Sequence, residues 1–186
     1  MLWLKFTNTT NTTTINMKNK FENANEAFEY FLNEIRCNGV EFGDTKALFN
    51  VGFYLNNPTL RAITTKERKW SVDYAEAEWQ WYLSGDPNIS KLGEIYGKIP
   101  PLSIYDAKEH PKYKNDTPCT YAIQFTIIDG ELCMSVYMRS NDLWYGFCND
   151  QYQFSQLQQL VASMLDIEIG WYYHHAHNLH LYNNKL

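Results

Sequence analysis

Cys119 follows Pro118 and directly precedes TYAIQFTII, a run of strand-forming residues. A cysteine at a loop-to-strand junction can reach solvent, and its thiolate is a soft nucleophile where a cation or donor stabilises it. Position alone favours the plainer reading of a small buried hydrophobe. Glu78 lies in AEAEWQWYLSGD, with Tyr74 four residues before it and Trp81 and Tyr82 three and four after. On a helix that spacing lays the carboxyl along an aromatic stripe, where desolvation raises its pKa towards that of a proton shuttle. Taken singly, Glu78 reads as a glutamate snorkelling at the edge of the core. In MRSNDLWYGFCNDQY, Arg139 and Ser140 end a strand, where a guanidinium and a hydroxyl could jointly hold a phosphate. Asn149 and Asp150 stand where a helix begins, and either could do no more than cap it. The C-terminal HHAHNLHLY carries His174, His175, His177 and His180. In a strand His175 and His177 share one face, and His174 and His180 the other. No Cys or acidic ligand adjoins them in sequence, so hydrogen-bonding or surface histidines are favoured over a metal site.

The elements that must position these residues are marked by period and punctuation. TNTTNTTTIN is polar and of low complexity, so residues 1–20 are expected to be a disordered leader and 21–186 a single domain. Phe28, Phe31, Leu32 and Ile35 recur at helical spacing from Ala24 to Cys37, and Asn38-Gly39 supplies the stop. KALFNVGFYL (46–55) reads as a strand closed by an Asn-Asn-Pro turn. A second helix is expected between Ser71 as N-cap and Gly85 at its C-terminus. Residues 86–118 look irregular. Thr120–Ile128 and Glu131–Arg139 flank Asp129-Gly130, a strong hairpin signal. A helix over Asp150–Leu165 carries Leu157, Leu160, Val161 and Met164 as its expected apolar stripe, and Gly170 opens a last extended segment. Strands and helices mixed without a βαβ rhythm indicate an α+β fold, helices against a largely antiparallel or mixed sheet.

The totals narrow the classes. A length of 186 residues suits one domain with a sizeable core. A net charge of −5 argues against a nucleic-acid-binding surface. Arg36, Arg61, Arg68 and Arg139 are the whole arginine supply, so a phosphate must be held by these, by lysines or by another chain. The four cysteines, Cys37, Cys119, Cys133 and Cys148, show no CxxC spacing, which suits a reduced, intracellular protein. With no membrane-length apolar run and no signal-peptide pattern, the expected location is cytoplasmic.

Together these segments resemble the thymidylate synthase superfamily, and within it more closely the phage dCMP hydroxymethylases. EWQWYLSGDPNI resembles the family stretch E-L-L-W-F-L-x-G-x-T-N; PCTYAIQF resembles P-C-H-x-x-x-Q-F, with Thr120 in place of the usual His. MRSNDLWYGFCND is similar to R-S-x-D-x-x-x-G-x-x-x-N, and HNLHLY to G-D-x-H-x-Y. The resemblance runs from about Thr64 to Tyr182. It implies a thymidylate synthase-like sheet packed with helices, shortened centrally and at the C-terminus. It implies Cys119 as the nucleophile that adds to pyrimidine C6, and Glu78 as an aid to proton transfer around the ring. Arg139 and Ser140 would hold the 5′-phosphate, and His180 and Tyr182 the deoxyribose 3′-hydroxyl. Asp142 lies where the family contacts the pterin, and Trp81 is assigned with it to the folate. The implied one-carbon donor is 5,10-methylenetetrahydrofolate, the substrate a pyrimidine deoxynucleoside monophosphate and the assembly a homodimer. A phage-encoded enzyme acting in the host cytoplasm fits the same resemblance.

Base choice follows from chemistry at one position. The family's uracil-specific members place Asn four residues after the motif glycine, pairing with N3–H and O4. Counting from Gly146, this chain has Asp150 there, beside Asn149. An ionised carboxylate only accepts, so it repels O4 and welcomes the cytosine amino group. The expected reaction is therefore dCMP to 5-hydroxymethyl-dCMP, the alternatives being a dUMP methylase or hydroxymethylase and a catalytically impaired nucleotide-binding relative. The family's Arg pair that crosses to the partner's phosphate should lie near Ile99-Pro100, and no Arg stands between Arg68 and Arg139.

Overall fold

The computed structural model describes residues 19–85 and 118–186. The leader, apart from its last two residues, and the expected irregular stretch, apart from Pro118, lie outside the described residues. Lys20, expected in the leader, lies in β1 (Lys20–Phe21), which pairs in parallel with Tyr54 and Leu55.

The first helix, α1 (Ala24–Asn38), starts at Asn23, whose side chain accepts from Glu26 N–H, while the Glu26 carboxylate accepts from Glu22 N–H. The first bond satisfies an amide that the helix start would otherwise strand, and the second ties the preceding residue to the first turn. Phe28, Phe31, Leu32 and Ile35 face the core, as their spacing requires. Gly39 ends the helix in an extended rather than left-handed conformation, bonding back to Ile35 O.

A mixed sheet carries the chain. Its order is β1, then β3 (Thr45–Leu55), β7 (Glu168–Tyr182), β5 (Glu131–Met138) and β4 (Thr120–Ile128). β2 (Val40–Phe42) pairs with β3, and β6 (Asn141–Asp142) with β7. β3 and β7 run antiparallel, but β5 and β7 run parallel, joined across α3 (Cys148–Leu165). One βαβ-like crossover thus exists where none was expected. The β4–β5 hairpin turns at Asp129 (φ 53°) and Gly130 (φ 88°), the double positive φ that an Asp-Gly turn accommodates. Asn50 (φ 55°) interrupts the β3–β7 pairing and bonds His177 through its Oδ1 at 2.7 Å. The pairing register is the same on either side of it, and beyond it Leu179, His180 and Leu181 of β7 are all buried, after Tyr172, His174 and Ala176.

α3 departs most from expectation. Leu160 and Met164 are exposed, whereas Gln151, Gln153, Ser155 and Gln158 are buried. The outer half of the expected apolar stripe is therefore turned outward, Leu157 and Val161 are half-buried, and amides share the buried face with Cys148, Tyr152 and Ala162. The reason is the carbonyls beneath it: Gln158 Nε2 donates towards Leu132 O at 2.8 Å, Gly170 O at 3.1 Å and Trp171 O at 3.2 Å. Gln151 Nε2 likewise serves Arg61 O and Cys148 O. Buried carbonyls without donors are costly, so glutamine outcompetes leucine here. Gln158→Leu is expected to lower stability by about 1–3 kcal/mol, read as a lower urea midpoint at unchanged m.

Among the described residues no helix is long and apolar enough to cross a membrane.

Candidate active site

Two carboxyls come within electrostatic reach where α2 (Val72–Ser84) packs against α3. Ser71 accepts from Tyr74 N–H and Gly85 closes the helix at φ 62°, as the sequence indicates. This phase buries Glu78 to 4% exposure. Loss of water pushes its carboxyl from 4.5 up to about 7, against hydrogen bonds from Gln153 and Tyr74 that favour the anion. Gln153 Nε2 reaches Glu78 Oε2 at 2.9 Å and also holds Ala75 O.

Asp150 faces Glu78 from the first turn of α3. Burial, then the charge of Glu78, lifts it from 3.8 to about 7, while its hydrogen bond from Asn141 pulls the other way. Asn141 Nδ2 donates to Asp150 Oδ2 at 2.7 Å. Gly146 makes room for that bond: a Cβ there would stand 2.9 Å from Asn141 Nδ2 and 3.2 Å from Asp150 Oδ2.

A π-helical turn, Leu143–Phe147, runs directly into α3, so neither Asn149 nor Asp150 is its N-cap. Asp142 caps the turn, accepting from Trp144 N–H at 2.9 Å and Tyr145 N–H at 3.2 Å. Burial raises the Asp142 carboxyl, opposed by those amides, by His180 and by Arg68. Asn149 is tied elsewhere: its Oδ1 accepts from Trp70 Nε1 at 2.9 Å and its Nδ2 bonds Tyr145 O. The register therefore turns Asp150, rather than Asn149, towards Glu78.

Cys119 sits half-buried at the open end of the β4–β5 hairpin. Arg139 fastens that end, its N–H bonding Cys119 O at 2.8 Å and its Nε bonding Pro118 O at 3.0 Å. Ser140 follows and leads into Asn141, so strand connectivity links the cysteine to the carboxyl network. The remaining cysteines are placed differently: Cys37 is exposed on α1, and Cys133 and Cys148 are buried with thiols pushed up by desolvation. His180 pairs in register with Asp142 across β6 and β7, and its ring lies 5.5 Å from that of Tyr182. Trp81 Nε1 is buried without a partner among the described residues.

Asn141, Gln153, His174, Tyr172 and Arg68 belong to this network; the residue reading gave Asn141, Gln153 and Tyr172 no role, grouped His174 with its neighbouring histidines and counted Arg68 only among the possible phosphate-binding arginines. Arg68 Nε bonds Trp144 O at 2.5 Å, bracing the π-turn. His175 and His177 lie on the other face of β7, their rings 5.2 Å apart, and take no part. Among the described residues no group of three or more His, Cys, Asp or Glu is placed to hold a metal ion.

Comparison with known proteins gives this geometry a context. Residues 97–186 match the thymidylate synthase family. A deoxyuridylate hydroxymethyltransferase of Bacillus phage SP01 is 41% identical over 72% of this chain and 39% of its own length. A thymidylate synthase of Bacillus licheniformis is 33% identical, covering 76% of this chain and 68% of the relative. That of Symbiobacterium thermophilum is 35% identical over 67% and 63% respectively. The chain thus spans well under half of the phage relative and about two thirds of the bacterial ones.

Proposed function

The chain belongs to the thymidylate synthase family, and from that membership we propose that it transfers a one-carbon unit to C5 of a pyrimidine deoxynucleoside monophosphate, with dUMP favoured. The observation that carries the base assignment is the environment of Asp150. The expectation of dCMP rested on an ionised carboxylate. With the Asp150 carboxyl pushed up to about 7, a neutral acid is abundant at neutral pH. A neutral acid offers one donor and one acceptor, as an asparagine amide does, so it can serve uracil O4 and N3–H together. The phage relative named for deoxyuridylate points the same way. dCMP is the second reading, favoured by the ionised fraction of Asp150, whose oxygens would accept from the cytosine amino group.

In the proposed reaction the Cys119 thiolate bonds to C6 and the C5–C6 electrons move onto C5 and the ring carbonyl. Glu78, held by Gln153, exchanges protons with the ring as charge builds and decays. Arg139 and Ser140 hold the 5′-phosphate, and His180 and Tyr182 the 3′-hydroxyl. Trp81, whose buried indole N–H has no partner among the described residues, and the half-buried carboxyl of Asp142 suit a flat heteroaromatic donor, so they are assigned to 5,10-methylenetetrahydrofolate. When bound, that group supplies the carbon at the methylene level; hydroxymethylation follows if water then completes the product, methylation if hydride does. A second copy of the chain is the proposed partner, against the outward aromatic face that includes Tyr54, Tyr137 and Tyr173.

The test is tritium release from 5-tritiated dUMP and dCMP with methylenetetrahydrofolate. Release is expected from dUMP in excess of dCMP, and no release from either removes the reading. Asp150→Asn is expected to keep dUMP within about tenfold while suppressing dCMP more strongly, because the amide cannot ionise. An unchanged base ratio would mean that another residue reads the base.

A further inference from the structure

We propose that Tyr172, His174 and Asn141 form a one-way hydrogen-bond relay that fixes the proton of Asp150 on Oδ1, which makes His174 a positioning residue for base selection. The proposal deepens the reading of Asp150 as the base-contacting group and rests on it.

The polarity of the relay follows from its buried end. Tyr172 and His174 are both fully buried, and the Tyr172 hydroxyl lies 2.7 Å from His174 Nδ1. Burial holds the imidazole neutral, pushing it down to about 3, so one ring nitrogen carries a proton and the other accepts. Tyr172 keeps its hydroxyl proton, since burial raises it well above the ordinary phenol range, and that proton needs an acceptor. Nδ1 is therefore the acceptor and Nε2 the donor. Nε2 lies 3.1 Å from Asn141 Oδ1, which leaves the Asn141 amide nitrogen to donate to Asp150 Oδ2. Reversing every bond would leave the Tyr172 hydroxyl proton without its acceptor in a dry core, a penalty of about tenfold or more in population.

Asp150 Oδ2 is thus committed as an acceptor, and a proton on this acid resides on Oδ1. The relay sets which atom donates to the substrate before the substrate arrives, and a preset donor at one atom is what distinguishes a keto oxygen from an amino group. Gly146 is consistent with a built contact, since a side chain there would crowd both Asn141 Nδ2 and Asp150 Oδ2. Among the described residues, the titratable groups that sense or influence Asp150 are Glu78 and Tyr82 from α2, Asp142 from β6, Cys148 from its own helix and Tyr172 from β7. The relay acts on Asp150 against this largely acidic surround.

His174→Gln keeps an amide donor for Asn141, and His174→Leu removes it. The Asp150 titration is read in ligand-free protein by carbon-13 NMR of labelled aspartate carboxyls, assigned with Asp150→Asn. The dUMP-to-dCMP tritium-release ratio is read across pH. His174→Leu is expected to change the Asp150 protonation constant by about tenfold and to shrink the base ratio comparably, whereas His174→Gln keeps both near the parent values. Tyr172→Phe, which deletes only the hydroxyl, is expected to move both in the same direction and serves if the leucine variant does not fold. Unchanged titration and ratio in folded His174→Leu or Tyr172→Phe would overturn the relay, as would equal losses in the glutamine and leucine variants. If the parent releases no tritium from either nucleotide, the substrate reading fails while the Asp150 titration still decides the relay.

Discussion

Cys119→Ser is expected to abolish tritium release from 5-tritiated dUMP, a loss of about 10⁴-fold, with the melting temperature and dUMP binding nearly unchanged. The rate effect is large because addition at C6 needs a soft anion. A serine hydroxyl is scarcely ionised near neutrality, and the other cysteines are either exposed on α1 or buried. The fold effect is small because Cys119 is half-buried at the edge of the core and is anchored through its backbone carbonyl to Arg139 N–H, a bond serine retains. Cys37→Ser is the internal control: exposed on α1, it should change neither reading. The comparison also separates three classes of protein. A nucleotide-binding relative without turnover would show a dUMP-dependent melting shift and no release in the parent. A histidine-dependent metalloenzyme would lose activity to chelators and keep it in Cys119→Ser. Release that survives the serine substitution would sink the covalent reading whatever its rate.

Where structure is set by local chemistry, the sequence was sufficient. Asp129-Gly130 fixed the hairpin, and Ser71 and Gly85 bounded the helix bearing Glu78, because a cap or a positive-φ turn is decided within four residues. Asp142 and His180, expected from the family blocks, pair in register across β6 and β7. What escaped was set by partners distant in the chain. The Leu157, Leu160, Val161 and Met164 stripe has the period of a buried face, yet carbonyls from β5 and β7 select the glutamine face of α3 instead. Nothing local to Gln158 announces that Leu132 lies beneath it. The base argument turned on distant partners too. Asp150 was read as ionised because an aspartate ordinarily is, and burial, then the charge of Glu78 from another helix, raises its carboxyl. His174 was grouped with its histidine neighbours along the strand, while its contacts are Tyr172 and Asn141.

Glu78→Gln is expected to stabilise the folded chain at pH 8 while depressing turnover. Glu78 is 4% exposed and its carboxyl is lifted from 4.5 in the unfolded chain to about 7, chiefly by desolvation. A carboxyl raised by folding binds its proton more tightly in the folded state. Its contribution to stability is therefore whole below about pH 4.5 and is lost as pH rises through about 7. By pH 8 the folded chain carries a buried anion at a cost of about 2–3 kcal/mol, part of it shared with Asp150, whose shift has the same sign. Glutamine removes the titration and keeps an oxygen for Gln153 Nε2. Urea melts of the two proteins should converge near pH 4 and separate progressively up to pH 8, with the variant the more stable. The same substitution removes the exchangeable proton that the ring chemistry needs, so the gain in stability and the loss of turnover share one cause. A stability difference independent of pH would mean that the Glu78 carboxyl is hydrated in the folded chain, and the proton-shuttle role would fall with it.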